Sequence, residues 1–156
     1  MRAPVAPDLS ERRHDLRHGV PVPFASDPAA GYAARGSASE PADLGAVVKA
    51  RAIQCALSRV CGLCGLSMSG TTTFVGSPAE SDENTFAFPP MHPACVDFAL
   101  ATYPSLGVPV LGQPVVRDEW VVVETGGFEL ERPDLRGAPV LFHPNSVVAT
   151  TVTTAG

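Results

Sequence analysis

Four side chains in this sequence have the types and spacing of a metal site: Cys61, Cys64, His92 and Cys95, in the pattern Cys-x2-Cys-x27-His-x2-Cys. Structural zinc is held by four thiolate or imidazole donors in a tetrahedron. A two-residue gap lets both cysteines of Cys61-Gly62-Leu63-Cys64 reach one ion from a single tight turn. Gly62 and Gly65 are expected to supply backbone freedom there, where amides can also donate to the thiolates. In His92-Pro93-Ala94-Cys95, Pro93 suits the first position of a helix, so His92 sits at its cap and Cys95 in its first turn. The positive end of the helix dipole favours thiolate at that place. Four protein ligands close the coordination sphere, so the expected role is structural and not catalytic.

The competing readings of the same residues are weaker. Cys61 and Cys64 as ordinary buried cysteines, with His92 as a plain helix cap, leaves the matched second pair unexplained. A thiol-redox enzyme using Cys61 and Cys64 would place the first cysteine after a strand and at a helix start. Here the pattern runs helix, turn, strand. No Ser/His/Asp set or paired-carboxylate site stands out. His143, in His143-Pro144-Asn145, reads as a loop histidine with no companion ligand near it. His14 and His18, four apart in an arginine-rich arm, read as a solvated face.

The elements that must position these ligands follow from periodicity. Asp43 can cap a helix over about 43–60, in which Ala46, Ala50, Ile53, Leu57 and Val60 form an apolar stripe. Cys55 falls opposite that stripe, so it is expected to face away from the core as a free thiol outside the site. Strands are expected at 71–75 and 85–88, joined by a polar loop over 76–84, and a second helix at 92–103 that Pro104 ends. Glu119–Glu124 and Phe128–Glu131 flank Gly126-Gly127, which reads as a hairpin turn. Further strands are expected over 139–142 and 146–153. Knuckle, β-hairpin and ligand-bearing helix, in that order, describe a treble-clef-like zinc module. The expected fold class is therefore α+β: that module, an N-terminal helix and a C-terminal antiparallel β region.

Composition bounds the rest. The chain has 156 residues, 45% of them hydrophobic, enough for one domain with a core of its own. Residues 1–42 hold six prolines with only Val20, Val22, Phe24 and Tyr32 as anchors, and are expected to be a flexible tail. Residues 43–156 then form one domain, with the zinc module over 61–104 and a β-rich part over 108–153. Residues 61–156 carry three arginines against ten acids, a balance of −7. Such a surface disfavours nucleic acid as a partner, since phosphates need lysine and arginine opposite them. No apolar stretch of signal or membrane-spanning length is visible. A Cys-x-x-Cys pair with a metal fits a reducing compartment, so the cytoplasm is expected, with no membrane association.

The segments Cys61-Gly62-Leu63-Cys64-Gly65, Phe74-Val75-Gly76-Ser77-Pro78 and Pro90-Met91-His92-Pro93-Ala94-Cys95 resemble a group of short actinobacterial, or actinobacteriophage, zinc-finger-like proteins. The likeness covers residues 61–106 well and extends loosely to Gly19–Phe24 and Arg132-Pro133. That group often carries Cys-Pro where this chain has Tyr103-Pro104, so no additional ligand is available there. The resemblance implies a bound metal and no assigned reaction. The function expected from the sequence is thus a small zinc-binding protein that acts as a protein-interaction or adaptor module. Its alternatives are an enzyme using Cys61 and Cys64, or a nucleic-acid-binding zinc finger.

Overall fold

The structure, a computed structural model, describes residues 9, 12–28, 43–133 and 137–154. It is an α+β arrangement of helices against antiparallel sheet. The elements are α1 (Lys49–Ser58), β1 (Thr72–Gly76), α2 (Pro78–Asp82), α3 (Pro93–Thr102), β2 (Glu119–Thr125), β3 (Phe128–Glu131), β4 (Leu141–Pro144) and β5 (Val147–Thr154). One sheet has the order β1-β2-β5, and β3 pairs with β4 in a second.

β2 explains the architecture. Its run Trp120-Val121-Val122-Val123 is apolar without alternation because this central strand has packing against both of its faces. On one face Val75, Val122 and Trp120 pack with Leu63, Phe88, Met91, Val96 and Tyr103, the cluster that reaches the knuckle and α3. On the other, Phe74, Val121 and Val123 pack with Ala52 of α1, Phe86, Val140 and Phe142.

Four expectations change. The strand expected at 85–88 does not return along β1. β1 pairs with β2 over its whole length, from Thr72 opposite Thr125 to Gly76 opposite Val121. The returning chain meets β1 only through Met91 and Thr73, while Phe86 bridges to Phe142. The polar loop contains α2, whose capping box is complete: Glu80 N donates to Ser77 Oγ and Ser77 N to Glu80 Oε1. Gly126-Gly127 is not a hairpin turn. β2 already has a partner on each edge, so the chain continues straight on from Thr125 opposite Val147 to Phe128 opposite Pro144. β2–β3 and β4–β5 therefore form one long ribbon bent at its middle, where Gly126 N donates to Ser146 O and Asn145 N to Gly127 O. Finally, α1 begins at Lys49 and shows the core its opposite face. Ala52 and Cys55 are buried, whereas Leu57 is 73% exposed. Ala52, with the partly buried Ile53 and Ala56, packs on the Phe74–Phe86–Phe142 cluster, while Leu57 points to solvent.

Part of the segment read as a tail is packed. Val22, Phe24 and Ala25 are buried, with Phe24 N donating to Leu63 O and Ala25 N to Gly62 O of the knuckle. Tyr103 Oη donates to Pro21 O at 2.5 Å. Residues 29–42, including Tyr32, lie outside the described residues.

β4 carries His143, placed on a strand and not in a loop. Its Nε2 lies 2.7 Å from Glu131 Oε1 and its Nδ1 3.0 Å from Asn84 O. The Asn84 carbonyl and then the Glu131 carboxylate favour the charged ring and raise its pKa. Because the folded value lies above the unfolded one, His143 contributes stability that is full below about pH 6.5. That contribution is lost as pH rises through the raised value. Melting temperature should therefore fall across that window, and His143→Gln should flatten the slope; an unchanged slope would exclude the linkage.

Candidate metal centre

The knuckle is a tight turn closed by Cys61 N donating to Leu66 O and Gly65 N to Cys61 O, with Val60 and Ser67 bridged behind it. Gly65 has φ +75°, and a Cβ there would stand 2.7 Å from the Phe24 ring. Gly62 has an ordinary φ; a Cβ on it would meet Phe88 and Pro89 at 3.0–3.2 Å, so it is needed for close packing and not for backbone freedom. Gly65→Ala should cost about 1–2 kcal/mol from the left-handed backbone alone. Displacement of the Phe24 ring adds to that. A melting temperature equal to wild type would contradict this account of the turn.

The second pair comes from α3. His92 occupies the N-cap position with extended backbone, but its side chain makes no capping bond. The ring is turned instead toward the cysteines, with Nδ1 3.4 Å from Cys64 Sγ and 3.7 Å from Cys95 Sγ. Nε2 lies 2.8 Å from Ser67 O, a geometry in which Nε2–H donates to the carbonyl and Nδ1 keeps its lone pair for the cluster. The sequence reading did not include Ser67. Its position just after the knuckle is the signal for it, since the chain must pass the ring there.

The donor atoms of Cys61, Cys64, His92 and Cys95 all lie within 4.8 Å of one another. A tetrahedral ion with sulfur at about 2.3 Å and nitrogen at about 2.0–2.1 Å spaces its donors roughly 3.5–3.8 Å apart. The two distances from His92 Nδ1 match that spacing. All three thiols of the cluster are buried, and His92 is partly covered.

Electrostatics within the cluster point the same way. Burial works to raise the Cys61 thiol. Hydrogen bonds from the Cys64 and Cys95 thiols, together with the Cys64 and His92 backbone amides, outweigh it and lower Cys61. Leu63 N also lies 3.3 Å from its sulfur. Cys64 and Cys95 move upward, chiefly because their protons are held by Cys61. Taken alone, the protein groups therefore stabilise one thiolate and oppose a second and third. A cation bound among them would allow all three to ionise together.

Cys55, the remaining cysteine, is buried on α1 and outside the cluster. Burial, and then the nearby Cys61, pushes its thiol up to about 12, so it stays protonated and unreactive. Its expected exclusion from the four-residue group holds; its expected outward orientation does not. His14 is exposed, and His18 Nδ1 pairs with Asp15 Oδ2 at 2.8 Å.

No family model, curated protein or solved structure matches this chain. Among the described residues, no helix is long and apolar enough to cross a membrane.

Proposed function

We propose that this chain is a small protein-binding module whose fold is held by one structural zinc ion on Cys61, Cys64, His92 and Cys95. The observation that carries the reading is the convergence of these four donors within 4.8 Å. Three sulfurs and an imidazole suit zinc, which has no preferred geometry to violate and takes soft donors readily. When bound, the ion supplies a cross-link between the knuckle and the start of α3. With four protein ligands it leaves no position for substrate, which favours a structural over a hydrolytic role.

The same geometry favours zinc over thiol redox chemistry. A redox pair needs an accessible attacking sulfur, whereas Cys61 is fully buried and Cys64 only 7% exposed. In this reading the knuckle and α3 serve as a reduced treble clef, its hairpin shortened to the Thr73–Met91 bridge. The chain would then belong with the actinobacterial and phage proteins that its motifs resemble, and would work in the cytoplasm on a protein partner. The acidic balance of residues 61–156 supports protein over nucleic acid.

Metal analysis of the purified protein, with thiols counted before and after chelation, tests the metal. The expected result is one zinc per chain, with the three cluster thiols unreactive until the metal is withdrawn. A folded, metal-free protein whose cluster thiols react freely would overturn it.

A further inference from the structure

One face of the β1-β2-β5 sheet is only partly covered. α3 lies against β1 there, and beyond it the face opens into a groove of about 150 Å³, lined in part by Val96 and Asp97 of α3, Val122 and Glu124 of β2, and Ala149 and Thr151 of β5. The strand bordering this groove is β5, an outer strand of its sheet. Its sequence, Val-Val-Ala-Thr-Thr-Val-Thr-Thr from Val147 to Thr154, has no lysine, no proline and no charge, the devices that normally guard an edge. Val148 and Val152 are 69% and 62% exposed. The outward N–H and C=O groups of such a strand are a ready template for another strand.

The charge of the groove is one-sided. Among the described residues, neither Asp97 nor Glu124 makes an ion pair. No lysine or arginine occurs anywhere from 61 to 116. We propose that β5 and its groove take an extended basic segment of a partner protein, which pairs along β5 and sets a Lys or Arg side chain between Asp97 and Glu124. This rests on the reading of the chain as a protein-binding module, and it names the chemistry of the partner. Backbone pairing supplies affinity with little sequence preference; the two carboxylates supply the selection. A second copy of this chain fits less well, because it would bring a net charge of −5 and a second acidic groove to the same edge.

The test uses the full-length, zinc-loaded protein and a labelled extended peptide of alternating Val and Thr with one central Lys, followed by fluorescence polarisation. The Lys peptide should bind, and its Glu counterpart about tenfold or more weakly, with the difference shrinking as salt is raised. The Asp97→Asn/Glu124→Gln double variant should bind the two peptides equally. N-methylation of alternate peptide residues should abolish binding in one of its two phases. Equal affinity of the unmodified protein for the Lys and Glu peptides, no binding of either, or indifference to both methylation phases would overturn the proposal. So would a chain dimer, seen by sedimentation, that excludes the peptide. Zinc content is measured on the same sample. Protein that holds zinc yet ignores the peptide refutes the groove and leaves the metal standing, and zinc-free protein that discriminates the peptides does the reverse.

Discussion

With zinc on Cys61, Cys64, His92 and Cys95 as proposed, chelation is expected to abolish cooperative melting of the region around the knuckle and α3. The cluster thiols lie in the larger core group, with Leu63, Met91, Val96 and Trp120 packed around them. Structural zinc contributes roughly 10–16 kcal/mol of apparent binding free energy coupled to folding. A domain of this size has a net stability of only about 5–15 kcal/mol, so most of its margin is at stake. Loss of one ligand is nearly as severe. In Cys95→Ser the hydroxyl is a poor zinc ligand, and Cys61 and Cys64 are left to repel each other if ionised. Calorimetry with and without chelator, on wild type and Cys95→Ser, measures both effects. Cys55→Ala is the control: its thiol is buried but outside the cluster, so zinc content should be unchanged. Wild-type melting in Cys95→Ser would sink the structural role of the metal.

The second large effect lies on the opposite face of the sheet. Phe74 is fully buried and meets Phe86, Phe128 and Phe142 at ring-centroid distances of 5.4, 5.6 and 5.8 Å. Phe74→Ala removes the ring shared by all three contacts, and the neighbours come from the segment before α3 and from both strands of the β3–β4 pair, so they cannot collapse together. The expected cost is about 3–5 kcal/mol, read as a lowered denaturant midpoint. Leu57→Ala is the comparison. Leu57 belongs to the apolar stripe of α1, yet it is exposed, so its replacement should change stability by no more than about 0.5 kcal/mol. A larger loss for Leu57 than for Phe74 would mean that α1 packs by the stripe after all.

Both predictions turn on where local pattern was sufficient and where it was not. Cys-x-x-Cys and His-x-x-Cys were legible because each pair is a local device: a tight turn and a helix start place two donors by themselves. The α3 segment was equally legible, since Pro93 and Pro104 bracket it. The helix α2 is signalled in the sequence by Ser77-x-x-Glu80, a capping box set among polar residues with no apolar stripe beside it. That is a local signal and not a tertiary effect.

The remaining differences were decided by partners distant in the chain. Which face of α1 is buried depended on partners distant in the chain: Ala52 meets the cluster of Phe74, Phe86 and Phe142, while Leu57 meets none; hydrophobic periodicity measures apolarity and is blind to where those partners lie. Gly126-Gly127 carries a turn signature, but a strand already paired on both edges by β1 and β5 has no free edge left to fold back on. Local pattern was enough to single out the four residues that cluster, the α+β composition and the helix that bears His92 and Cys95. Long-range packing was needed to bring the two pairs together, to set the Ser67 carbonyl against the His92 ring, and to dock Phe24 and Ala25 on the knuckle. Ligand spacing is set by bonds along the chain. The meeting of the two pairs is set by contacts between residues distant in the chain: Gly62 N donates to Pro90 O, and Leu63, Met91 and Val96 share one core cluster.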